Sequence, residues 1–142
     1  MKIQNPPAGM PQCCPNIFYD DVGAAVRFLC EAFGFEKRFA HGPGGKIEFA
    51  QLGYHSAVVM LGGTGNPRAL RPSKSPKSAG LVTGAIYLFV DDVDAHCARA
   101  RESGAQILLE PCDMFWGDRI YCAVDPEDQL WTFATHVKDV TF

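Results

Sequence analysis

Two stretches of this sequence are near copies: "YDDVGAAVRF", Tyr19–Phe28, and "VDDVDAHCAR", Val90–Arg99. In each, an apolar run ends, a pair of aspartates follows, and a valine opens a segment with apolar residues three and four apart. Asp20 and Asp91 lie 71 residues apart, half of a 142-residue chain. Aspartate at such a place offers an acceptor to the unpaired amides of a helix start. Each stretch therefore reads as the end of a strand and the beginning of a helix. Recurrence at half the chain length predicts one small unit, duplicated.

Working outward, "CPNIFY" before the first aspartates reads as a strand. The helix after them carries Val22, Ala25, Val26, Leu29, Cys30 and Phe33 on one face, and Gly34 fits its left-handed stop. "FEKRFAH", "KIEFAQLG" and "SAVVMLG" read as three strands, joined by a Gly-Pro-Gly-Gly turn and a short turn at Tyr54 and His55. After the second aspartate pair the order repeats: a helix to about Ser103, then "AQILLEP", "RIYCAVD" and "QLWTFATH" as strands. Each half is thus β-α-β-β-β. The chain is expected to be α+β, a single domain over residues 1–142. Module 1 covers about 12–62, a linker 63–83, and module 2 84–137. A unit of about 60 residues buries too little surface to be stable by itself, so the two are expected to pair into a shared cup.

Composition narrows the function classes. At 47% hydrophobic and 20% charged the chain is a globular protein rather than a disordered one. A formal charge of −3 gives no bulk attraction to nucleic acid or to an anionic membrane. No apolar run approaches the length of a membrane span. "MKIQNPPAGMPQ" lacks an apolar signal core, and the six cysteines include no CxxC pair. A cytoplasmic protein with reduced thiols is expected. The linker carries Arg68, Arg71, Lys74 and Lys77 with no acid, which reads either as a solvated segment or as a basic flap at a pocket mouth.

The paired β-α-β-β-β modules resemble the vicinal-oxygen-chelate superfamily, most closely its small glyoxalase/bleomycin-resistance-type proteins. "YDDVGAAVRFLCEAFGF", "VDDVDAHCARARESGA", "WGDR" at Trp116–Arg119 and "DPEDQLWTF" at Asp125–Phe133 carry the likeness, which extends over roughly residues 12–137. It implies a cup-shaped eight-stranded mixed sheet and a homodimer. Because this superfamily hosts many chemistries, the resemblance does not imply one reaction.

Metal-using members place ligands on the first and last strands of each module. Carried onto this sequence, those positions are Cys14, Met60, Ala85 and Thr132. An open catalytic metal site wants about three imidazole or carboxylate ligands, so this set predicts no metal and no other cofactor. The candidates for acid–base chemistry, or for half of a non-standard metal site, are His41 and Glu48 on neighbouring strands.

The resemblance implies that Cys14, Met60 and Thr132 face the cup; alternation along the strands then adds Asn16, Phe18, Tyr87 and Phe89 to the lining, with Trp116 and Arg119 at its rim. Such a lining suits a small, partly aromatic organic ligand. Three readings follow. One is a metal-independent binding protein of the bleomycin-resistance type. Another is a lyase or isomerase using side-chain acid–base groups or a non-standard metal site. The third is a non-catalytic accessory domain.

Overall fold

The structure is a computed structural model and describes residues 2–142. The elements run β1 (Asn16–Tyr19), α1 (Val22–Phe33), β2 (Glu36–His41), a 3-10 turn (Pro43–Gly45), β3 (Phe49–Tyr54), β4 (Ala57–Gly63), α2 (Pro76–Ala79), β5 (Ile86–Phe89), α3 (Val93–Glu102), β6 (Gln106–Asp113), β7 (Asp118–Val124) and β8 (Leu130–His136). The β-α-β-β-β order therefore occurs twice. The eight strands form two four-stranded ladders, β1-β4-β3-β2 and β5-β8-β7-β6. In each, the first strand runs parallel to the last and the other pairings are antiparallel.

The chain divides into two compact units. The first holds the residues up to Cys30 and Gly34–Lys74; the second holds Glu31–Phe33 and Ser75–Phe142. Both long helices start on the aspartates that define the repeat. Asp21 Oδ1 accepts from the Ala24 amide at 3.0 Å, and Asp92 Oδ1 accepts from Asp94 and Ala95. Gly34 ends α1 at φ 80°, a conformation that disfavours any side chain.

The core of the first unit consists of Tyr19, Val22, Ala25, Val26, Leu29, Ala50, Leu52, Val59 and Leu61, all buried. That of the second is aromatic. Trp131 and Phe133 on β8 stack 6.1 Å apart; Phe33 lies 4.7 Å from Phe133 and 5.6 Å from Trp131, and Tyr121 is 5.1 Å from Phe133. Each such ring removed from water contributes about 1.5–3 kcal/mol. Above them α3 buries Val93, Cys97 and Ala100. His96 closes the cluster, with Nε2 2.8 Å from the Phe33 carbonyl and Nδ1 at the Tyr121 hydroxyl. A carbonyl only accepts, so Nε2 carries the proton and Nδ1 accepts from Tyr121.

The linker is more ordered than its composition predicts. Ser75 is buried and caps α2 through the Ser78 amide, Gly80 closes that helix, and the Lys77 amide donates to the Glu127 carbonyl at 3.0 Å. Strand β6 is an edge strand with two register shifts, and it holds Pro111, a residue without an amide to donate. No helix of the described residues is long and apolar enough to cross a membrane, and the six cysteines are free thiols.

Candidate ligand-binding faces

Each sheet has one face turned from its buried core, and the expected lining residues sort onto these faces by register. In the first unit, Asn16 pairs with Met60 and Phe18 with Gly62, while Gln51 and Phe49 continue the same two rows on β3. Phe18 and Phe49 are large aromatics left 40% and 44% exposed. Gly62 leaves room for the Phe18 ring, two of whose carbons lie 3.5 Å from where a Gly62 side chain would begin. Beside them opens a cavity of about 960 Å³, lined among others by Asn16, Phe18, Lys46, Glu48, Phe49, Arg68 and Arg71. Cys14 is half-buried, just before Pro15, whose carbonyl accepts from the Met60 amide at 2.8 Å.

His41 and Glu48 meet through the backbone, the Glu48 amide donating to the His41 carbonyl at 2.8 Å. The His41 ring rests 5.2 Å from Phe49. Among the described residues no ion pair links the two side chains. Glu48 lines the cavity wall.

In the second unit Tyr87 pairs with Thr132, which faces Cys122, and Phe89 pairs with Ala134. Tyr87 and Phe89 are 43% and 57% exposed, with rings edge to face at 5.5 Å. The Tyr87 hydroxyl donates to Asp118 Oδ2 at 2.6 Å and accepts from Trp116 Nε1 at 3.1 Å. Asp118 is 6% exposed, and its other oxygen faces His136 Nδ1 at 2.8 Å. His136 Nε2 lies 2.7 Å from Asp139. The electrostatics agree with this chain. The Tyr87 and His136 contacts hold the Asp118 carboxyl below the usual carboxylate range. Asp118, and after it Asp139, raise the His136 imidazole above its ordinary value, which suits a ring donating from both nitrogens. Burial, then Asp118, raises the Tyr87 phenol, so it keeps its proton.

One expected rim residue, Arg119, is placed differently. Arg119 pairs with Thr135 and faces α3, where Asp94 takes Nε and Nη2 and Asp113 takes Nη1. It therefore lies on the face opposite Tyr87, because neighbouring strand residues alternate sides. The neighbouring Asp118 is bonded to Tyr87 and His136. Trp116 is half-buried in the turn before β7, while its neighbour Phe115 is 80% exposed. Gly117 at φ 97° permits that turn: a side chain there would collide with the Lys138 carbonyl at 1.9 Å.

Asp118 and His136 were not legible as partners. The last strand read from the sequence, "QLWTFATH", ends on His136, and no spacing joins it to Asp118. Extending alternation from Thr132 through Ala134 places His136 on the open face, and that was the available signal.

The four positions that the resemblance offers for a metal, Cys14, Met60, Ala85 and Thr132, do not suit a divalent cation, with one thiol as their strongest donor. Ala85 has no donor, Met60 offers a thioether, and the Thr132 hydroxyl is 3.4 Å from Cys122 Sγ. Among the described residues no group of three His, Cys, Asp or Glu side chains is arranged as a ligand set.

Comparison with known proteins agrees with the fold. The chain belongs to the Glyoxalase/Bleomycin resistance protein/Dioxygenase superfamily, whose family model matches residues 10–133. An uncharacterized protein of Mycobacterium bovis is 33% identical over 131 residues, covering 92% of this chain and 86% of its own. Among solved structures, TioX from Micromonospora sp. ML1 is 30% identical with a TM-score of 0.75, over 89% of this chain and 99% of that one. A superfamily member from Sphaerobacter thermophilus shares the fold at 24% identity, with a TM-score of 0.64 over 86% and 94% of the two chains.

Proposed function

We propose that this chain binds a small, partly aromatic organic molecule without a metal ion, using the open sheet faces as contact surfaces. One observation carries the reading: exposed aromatic rings stand on these faces, and the polar groups around Tyr87 are already satisfied by one another. Asp118 holds Tyr87 and His136 together, so the phenol is fixed as a platform for stacking and edge contacts. Asn16, Phe18 and Met60 form the corresponding surface in the first unit, with Phe89 and Thr132 completing the second. His136 stands between the Asp118 and Asp139 carboxylates, which favour its protonated form, so the polar groups of this chain are engaged with one another.

The test is thermal unfolding of the chelator-treated protein with a panel of planar aromatic compounds. A compound that raises the melting temperature at micromolar concentration and is recovered unchanged supports the reading. A panel without effect contradicts it.

The same chain of Tyr87, Asp118 and His136 favours a second reading, a lyase or isomerase using these groups as acid and base. Turnover of a stabilising compound, abolished by Asp118→Asn, would select that reading.

A further inference from the structure

We infer that the molecule taken up by the first unit's cavity is an organic anion, its aromatic body against Phe18 and Phe49 and its anionic group toward Arg68, Arg71 and Lys46. This rests on the ligand-binding reading and adds the charge of the ligand. The chain as a whole is negative, at −3, yet the segment 62–83 contains four cations and no acid. Two of those cations, Arg68 and Arg71, line the cavity, and Lys46 joins them before β3. Among the described residues none of the three sits in an ion pair. Arg119 and Arg101, by contrast, are paired with carboxylates.

Local bonding holds this segment beside the wall. The Thr64 amide donates to the Tyr19 carbonyl at 3.1 Å, and its hydroxyl donates to Asp20 at 2.6 Å. Asn66 then closes a turn, its side chain accepting from the Arg68 amide and its carbonyl from Ala69. The acids on the lining are Asp20 and Glu48, and Asp20 is engaged with Thr64. Unpaired guanidinium groups next to an aromatic wall suit an amphiphilic anion. The planar fork matches a carboxylate, sulfonate or phosphate in two parallel hydrogen bonds.

The experiment is calorimetric titration of the full chain with 2-naphthoate and with its neutral counterpart 2-naphthamide. It is repeated on Arg68→Gln/Arg71→Gln and on Lys74→Gln/Lys77→Gln, which removes the same charge from the same segment outside the cavity lining. The expected result is naphthoate binding about tenfold more tightly than naphthamide, a gap the arginine substitutions close and the lysine substitutions leave within about twofold. Equal affinity for the two probes, or equal loss from both double substitutions, overturns the anion assignment and leaves aromatic binding standing. If neither probe binds, the ligand-binding reading falls with it.

Discussion

The Tyr87 hydroxyl donates to Asp118 across 31 residues of sequence at 2.6 Å, and that bond fixes the orientation of an exposed ring. Trp116 donates to the same oxygen, so the phenol is held from two sides. A ring held this way loses little freedom when a flat molecule stacks on it, which favours binding by lowering its ordering cost.

Tyr87→Ala is expected to weaken a stabilising aromatic ligand by about tenfold, roughly the loss of one stacking partner. His96→Ala leaves that affinity unchanged but lowers stability by about 1–3 kcal/mol, because the Phe33 carbonyl and the Tyr121 hydroxyl lose their shared partner. Titration and denaturant unfolding of both variants check this. A stronger loss of affinity in His96→Ala would reverse the assignment of sheet faces.

The two histidines of the second unit tilt stability in opposite directions with pH. His136 is raised by Asp118 and Asp139, so its contribution is complete below the unfolded value of about 6.5 and disappears as pH rises through the folded value. His96 is lowered by burial, so its contribution is present above about 6.5 and is lost as pH falls through the folded value. In His136→Gln only the second trend remains. Its urea midpoint should therefore run parallel to that of the parent protein below about 6.5 and fall less steeply above it, where the parent loses the His136 contribution. Superimposable profiles would mean His136 is not held by those carboxylates.

Asp125 organises the turn before β8. Its Oδ1 accepts from the Glu127 and Gln129 amides, and its Oδ2 accepts from Trp131 Nε1 at 3.1 Å inside the core. Asp125→Ala is expected to cost roughly 2–4 kcal/mol, since a buried indole N–H and two amides lose an acceptor. Asp128 sits in the same turn at φ 64°, where glycine is unstrained, so Asp128→Gly should be neutral or stabilising by up to about 1 kcal/mol. Guanidinium denaturation measures both, and a destabilised Asp128→Gly would contradict the turn geometry.

The fold was legible because its signals are local. The aspartate pairs name two helix starts, Gly34 one helix end, and alternation sorts Asn16, Phe18, Tyr87 and Phe89 onto exposed faces. What joins Asp118 to Tyr87 and His136 is not local. Those contacts depend on which strand lies beside which and on a register that spacing alone does not supply. Arg119 shows how narrow the margin is: one residue along β7 separates the open face from the helix face, where Arg119 meets Asp94. The short helix α2 escaped notice because four residues carry no periodicity.

The most direct test of metal-free binding is a calorimetric titration of 2-naphthoate into protein before and after exhaustive dialysis against EDTA. Equal affinities in the two preparations are the predicted result. Binding that vanishes after dialysis and returns on adding nickel, zinc, iron or manganese would contradict it.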